Sequence, residues 1–285
     1  MLLRAARIAV VSPSGVSQPA RLHAGMDLLR SWGHAPVLLP HAQNVHRYLA
    51  GTDEERLTDL VAAFGGDYDA VWMARGGYGL SRILGALPLD RLAPIPFFGF
   101  SDGTALLNPL AALGRPAVHA PVLHALASLN DEASRSHLHN LLGGAPAVSL
   151  EGRSLVEGEA EGRLVGGNLC LIASGCGTPA QLDCTDAIVL LEEVGEAPYK
   201  VDRLLVQCRD AGVFRGARAF VLGDFLPVQP PDSPGGSMDD VLLDVLAPLG
   251  VPILAGLPVG HGAANYALPF GRPASVRGAR LHVEC

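Results

Sequence analysis

The pentapeptide Gly99-Phe100-Ser101-Asp102-Gly103 fits the pattern G-x-S-x-G. It lies between an apolar run that reads as a strand, 95–100, and a segment with helical spacing, 104–113. A serine on such a strand-to-helix turn presents its Oγ outside the fold, and flanking glycines let the backbone crowd there. The next backbone N–H can then help bind an oxyanion. A helix N-terminus adds positive potential at the same place. The plain alternative is an ordinary turn in which Ser101 and Asp102 cap the helix. A nucleophilic serine also needs a base, and the base needs an acceptor to orient it. Of the ten histidines, His261 stands apart because Gly260 and Gly262 flank it just after a short apolar run. Two glycines permit unusual torsions and a close approach of the imidazole to another segment; a histidine in a simple turn is the alternative. For the acceptor, Glu192 and Glu193 follow the apolar run 187–191 directly. Acids in that position sit at the mouth of a strand or are paired. Consecutive strand residues face opposite sides, so one of the two glutamates can orient a histidine while the other caps or faces solvent. Serine, acid, histidine is a known chain order for a hydrolytic triad.

Other constellations carry less chemistry. Arg75-Gly76-Gly77-Tyr78-Gly79 is glycine-rich but matches neither G-x-G-x-x-G nor the P-loop, and it has no lysine for a phosphate. There is no H-E-x-x-H, and the histidines and cysteines never take zinc-ligand spacing, so no metal or other cofactor is expected. Five cysteines without a C-x-x-C pair fit a reducing compartment better than a disulfide scaffold.

The elements that must position these residues alternate over the first half. Strands are expected at 7–11, 36–39, 70–73 and 95–100, and helices at 19–32, 53–64 and 104–113. Such alternation implies a parallel sheet covered on both faces, with its sites in the loops at the carboxyl ends of the strands. Both glycine-rich loops fall there. From Gly143 the pattern changes, and the stretch 143–161 reads as an interdomain connection. Beyond it, strands are expected at 162–165, 187–191, 219–222 and 252–254. Helices are expected from Asn168, at 203–211 and at 238–249, with a proline- and glycine-rich loop at 229–236. A net charge of −7, with Lys200 the single lysine, argues against non-specific nucleic-acid binding and against docking on anionic lipid. The apolar run near the amino terminus is too short for a secretory signal. No run approaches the roughly 18 apolar residues of a membrane span, so a cytoplasmic protein is expected.

Taken together, several segments resemble the LD-carboxypeptidase family of serine peptidases, which includes the microcin-immunity hydrolases. They are Ile8-Ala9-Val10-Val11-Ser12-Pro13-Ser14-Gly15, Arg75-Gly76-Gly77-Tyr78-Gly79, Gly99-Phe100-Ser101-Asp102, Gly166-Gly167-Asn168-Leu169, Leu191-Glu192-Glu193-Val194-Gly195-Glu196, Tyr199 with Asp202-Arg203, and Gly260-His261. They occur in family order along nearly the whole chain. The resemblance implies an α/β hydrolase with a flavodoxin-like, parallel-sheet domain over 1–142, the connection 143–161, and a smaller β-rich domain with helices over 162–285. The active site would lie between them. Ser101 would be the nucleophile, Glu192 rather than Glu193 the orienting acid, and His261 the base. Backbone N–H groups of Gly77 and Asp102 would form the oxyanion hole.

In this family the leaving group is the terminal D-alanine of a murein tetrapeptide, in peptidoglycan recycling, and members are typically homodimers. A carboxypeptidase must hold a free carboxylate, for which Arg75 and Arg203 are candidates; an ion pair with Asp202 is the plainer role for Arg203. Phe100 stands where the family commonly has Tyr, and His119-Ala120-Pro121 where His-Gly-Pro is frequent. The segment 196–203 resembles the recycling branch more than the immunity branch. The rival expectations are a hydrolase of peptidyl or aminoacyl nucleotides on the same fold, and a non-catalytic binding protein.

Overall fold

The buried β-branched runs become strands, and the computed structural model describes them within residues 5–228 and 237–285. The loop expected at 229–236 lies outside the described residues. The chain divides into two units, Met1–Pro146 with Tyr266–Phe270, and Ala147–Asn265 with Gly271–Cys285.

The first unit runs β1 (Arg7–Val11), α1 (Pro19–Ser31), β2 (Ala35–Leu38), α2 (Asp53–Gly65), β3 (Ala70–Met73), α3 (Leu80–Leu84), β4 (Phe97–Gly99), α4 (Thr104–Ala112), β5 (Ala117–His119), α5 (Leu123–Leu126) and α6 (Glu132–Leu142). Five parallel strands lie in the order β2-β1-β3-β4-β5, which is the flavodoxin-like order. All residues of β3, β4 and β5 are buried, as a sheet covered on both faces requires. Trp72 stacks on Phe98 with centroids 4.1 Å apart and gives its indole N–H to the Pro121 carbonyl. Thr52 and Glu55 form a reciprocal cap at the start of α2, so that helix begins where its sequence stipulates.

The second unit runs β6 (Ala147–Glu151), β7 (Arg153–Val156), β8 (Glu159–Asn168), α7 (Leu169–Ser174), β9 (Ala187–Val194), α8 (Pro198–Asp210), β10 (Ala217–Leu226), α9 (Met238–Leu246) and β11 (Ile253–Ala255). The chain then adds β12 (Leu268–Phe270) to the first unit, antiparallel to β5. It finishes the second unit with β13 (Pro273–Arg277) and β14 (Arg280–Glu284). The order in the second sheet is β6-β14-β13-β8-β9-β10-β11-β7. Strands β8 to β11 are parallel, and the remaining pairings are antiparallel. Strands β6 and β7 stand at opposite ends of this order yet are joined by Gly152 alone. A flat sheet would hold them about 30 Å apart at the usual strand spacing, so the sheet curls until its edges approach at Gly152.

The interval 143–161 is therefore not a connection. It holds β6, β7 and the start of β8. Val148 and Leu150 point into the core while Ser149 and Glu151 face out, and so short a period-two pattern with a charged outer face is easily taken for a polar linker. Nor does the second domain run unbroken to the end, since Tyr266–Phe270 belongs to the first unit. Among the described residues no helix is long and apolar enough to cross a membrane.

Candidate active site

In the first unit, Ser101 opens a single 3₁₀ turn, Ser101–Gly103, between β4 and α4. Its φ is +59°, a left-handed conformation that costs a non-glycine residue on the order of 1 kcal/mol or more. The loop after β3 lies directly against it: a Cβ on Gly76 would stand 2.9 Å from the Ser101 Cβ and 3.1 Å from its Oγ. The neighbouring Gly77 has φ +103°, and its N–H meets no backbone acceptor among the described residues. The Asp102 N–H lies in the first turn of its helix, where an N–H has no intrahelical acceptor. Both are free donors of the kind an oxyanion hole uses.

The Asp102 side chain, fully buried, does separate work. Its Oδ2 accepts the Ser14 hydroxyl at 2.5 Å and the Leu80 N–H at 2.8 Å. Burial nonetheless pushes its carboxyl above the usual range, against these bonds and the Arg56 charge. Arg56, buried on α2, donates to the carbonyls of Pro13 and Gly79 and to Asp53, and the Gly15 N–H donates to the Gly76 carbonyl at 3.0 Å. The loops after β1, β3 and β4 are thus tied together at the carboxyl end of the sheet. Arg75, exposed beside them, donates to the Val16 carbonyl.

In the second unit, Glu192 and Glu193 lie just before Val194, the last residue of β9, and turn to opposite faces. Glu192, with no exposure, places Oε2 2.6 Å from His261 Nδ1. Glu193 accepts from the Asn168 side chain and from the Cys170 and Val194 N–H groups. Its burial, the larger influence, still raises its carboxyl above the ordinary range. A carboxylate only accepts, so His261 donates this bond from Nδ1. Arg203, exposed on α8, lies 5.8 Å over the Tyr199 ring and forms no ion pair with Asp202 among the described residues. Among the described residues no cluster of His, Cys, Asp or Glu is arranged to hold a metal ion.

A family model described as the LD-carboxypeptidase N-terminal domain matches residues 8–120, and one described as the LD-carboxypeptidase C-terminal domain matches 161–276. The chain belongs to the LD-carboxypeptidase family. It is 36% identical to a murein tetrapeptide carboxypeptidase of Pseudomonas aeruginosa, over 96% of this chain and 94% of that one. It is 38% identical to a putative carboxypeptidase of Synechocystis, over 95% and 91%. Among solved structures, a muramoyltetrapeptide carboxypeptidase from Oxalobacter formigenes superposes with a TM-score of 0.88 at 26% identity, covering 98% of this chain and 99% of that one. The microcin C7 self immunity protein MccF shares the fold, with a TM-score of 0.89 at 20% identity over 100% and 97%.

Three residues of this LD-carboxypeptidase chain escaped the reading of its sequence. Arg56 looks like any solvated residue paired with Asp53 one helical turn earlier, and nothing local marks it as buried. The Asp102 carboxylate was inside the right pentapeptide but was weighed only as a cap and for its N–H. Asp224, whose Oδ2 accepts the Gly262 N–H at 2.8 Å, follows the apolar run 219–222 much as Glu192 follows 187–191, so a signal for it did exist.

Proposed function

We propose that the chain is a serine LD-carboxypeptidase that releases the terminal D-alanine of murein tetrapeptides by acyl transfer, with Ser101 as nucleophile, His261 as base and Glu192 as its orienting acid. The observation that carries this reading is the 2.6 Å bond between Glu192 Oε2 and His261 Nδ1, which leaves Nε2 to take a proton. The strained backbone of Ser101 and the adjoining Gly77 and Asp102 N–H groups support the other half. The relative from P. aeruginosa supports the substrate.

His261 takes the Ser101 proton as Oγ attacks the scissile carbonyl. The Gly77 and Asp102 N–H groups receive the oxyanion, a contribution typically of 10²–10³ in rate per donor. His261 then gives its proton to the departing D-alanine amine, and water cleaves the acyl-enzyme by the same route. Glu192, buried against the imidazole, stabilises the imidazolium formed in each half. Arg75 uses part of its guanidinium on the Val16 carbonyl and keeps further donors for a substrate carboxylate; Arg203 is the second candidate. The reaction fits recycling of murein fragments in the cytoplasm.

The test is release of free D-alanine from a murein tetrapeptide by the wild type, Ser101→Ala and Glu192→Gln. Release is expected to vanish in Ser101→Ala and to fall about 10⁴-fold in a folded Glu192→Gln, as when an orienting carboxylate is replaced elsewhere. Undiminished release from Ser101→Ala would remove the nucleophile. No release from a folded wild type would move the substrate to an aminoacyl-nucleotide conjugate.

A further inference from the structure

Opposite Glu192 the second sheet is irregular. Leu222 pairs with Leu191 and Phe225 with Glu193, so two residues of β10, Gly223 and Asp224, face Glu192 alone. That is the count of a β-bulge, a device that re-aims a side chain. The segment carrying His261 crosses this bulge. Its Leu257 N–H donates to the Leu222 carbonyl at 3.1 Å, and its Val259 carbonyl accepts the Asp224 N–H at 2.8 Å. A Cβ on Gly223 would lie 2.1 Å from the Val259 oxygen, so only glycine lets the segment come this close.

The Asp224 side chain then fills the space beneath the turn. Its Oδ2 accepts the Gly262 N–H at 2.8 Å. A Cβ on Gly260 would meet the Asp224 Cβ at 2.7 Å, and one on Gly262 would meet Oδ2 at 2.6 Å. Asp224 thus leaves no room for a side chain at Gly260, whose φ of +144° also favours glycine, and packs its carboxylate against Gly262.

We infer that Asp224 is a positioning residue for His261, clamping the Gly260–Gly262 turn through its carboxylate. The inference rests on the reading of His261 as the base. Of the neighbouring ionisable groups, Glu192 on β9 and Asp224 on β10 interact with His261, while Glu193 turns away to Asn168 and the Cys170 N–H. Among the described residues no lysine or arginine pairs with Glu192 or Asp224. Burial raises the Asp224 carboxyl, and the Gly262 N–H and the charge of His261 oppose that rise.

The experiment uses the full chain and two readouts: the rate of labelling of Ser101 by an alkyl fluorophosphonate, and kcat and KM for D-alanine release. His261→Ala is the control, because loss of labelling there, whatever the natural substrate, upholds the triad reading on its own. Labelling of His261→Ala at the wild-type rate would sink that reading instead. In Asp224→Asn the amide oxygen still accepts from Gly262, so kcat and labelling are expected within about threefold of wild type. Asp224→Ala loses the clamp, and kcat and labelling should fall about 10²-fold with KM little changed. With the His261→Ala control silent, a folded Asp224→Ala within twofold of wild-type kcat overturns the inference, as does an Asp224→Asn that loses as much as the alanine variant. If the alanine variant fails to fold, Gly262→Ala decides: its Cβ would meet Asp224 Oδ2 at 2.6 Å. That variant should lower kcat about 10-fold, and a wild-type rate there overturns the inference.

Discussion

Ser101 holds a left-handed backbone that most residues avoid, and Gly76 is the atom-scale reason the rest of the loop can sit beside it. Adding a methyl there would press on the serine Cβ and Oγ, and the Cβ cannot move without the backbone of its turn. Gly76→Ala is expected to fold, since its next contact, the Phe100 carbonyl oxygen at 3.4 Å, is at ordinary van der Waals distance, yet to lose about 10²-fold in kcat through displacement of Oγ. Steady-state kinetics with a thermal melt checks this, and a variant of wild-type rate would mean Oγ is placed by other contacts. Gly77→Pro is a poorer probe of the oxyanion hole proposed above. Proline fixes φ near −65° and Gly77 has +103°, so the change breaks the loop as well as removing the N–H. At this scale the sequence was legible where a motif has a fixed local geometry, as with G-x-S-x-G. It was incomplete where a neighbour remote in sequence supplies part of the reason. The unusual torsion expected of the glycines beside His261 is present at Gly260, with φ +144°, and the close approach of Asp224 to Gly260 and Gly262 adds to it.

Strand ends become a site only when their loops are fastened, and here Asp102 and Arg56 fasten them. Asp102 joins the loop after β1, through Ser14, to the start of α3, through Leu80. Burial places its folded pKa above that of the unfolded chain, so the native state keeps this proton to higher pH. That contribution to stability is complete below the unfolded value of about 3.9 and is lost as pH rises through the elevated folded value. Asp102→Asn keeps an acceptor for Ser14 and Leu80 but does not titrate. The Tm difference, wild type minus variant, should thus be most positive near pH 4 and shift toward the variant by pH 8. A difference flat across that range would show that the carboxyl does not titrate on folding. Elements with long apolar runs, such as β1, β3 and β9, could be read directly. Strands β6, β7, β13 and β14 could not, because none has more than two buried residues, alternating with exposed or half-buried ones. Leu281 and Val283 of β14, for example, sit among Arg280, His282 and Glu284. Their pairing is set by partners far along the chain, which local pattern does not record.

On the scale of the whole chain, sequence order and structural membership part company at Tyr266–Phe270, which leaves the second unit to complete the first. Phe270, at 2% exposure, stacks on His119 with centroids 5.5 Å apart. His119 in turn meets the edge of Phe100 at 5.1 Å. Phe100 immediately precedes Ser101, so a residue fifteen positions before Cys285 braces the strand end that bears Ser101. A division of the chain at a single boundary hides this, since three residues of strand carry too weak a pattern to announce which sheet they join. Phe270→Ala should remove packing worth about 3–5 kcal/mol from the first unit. Hydrogen exchange read by mass spectrometry is then expected to show faster exchange in β4, β5 and the Ser101–Gly103 turn, with β9 and β10 unchanged. D-alanine release should fall alongside, because the turn beneath Ser101 loosens. Equal loss of protection in β9 and β10 would mean that the two units open together. The few residues of β12 would then stabilise the molecule as a whole rather than the first sheet.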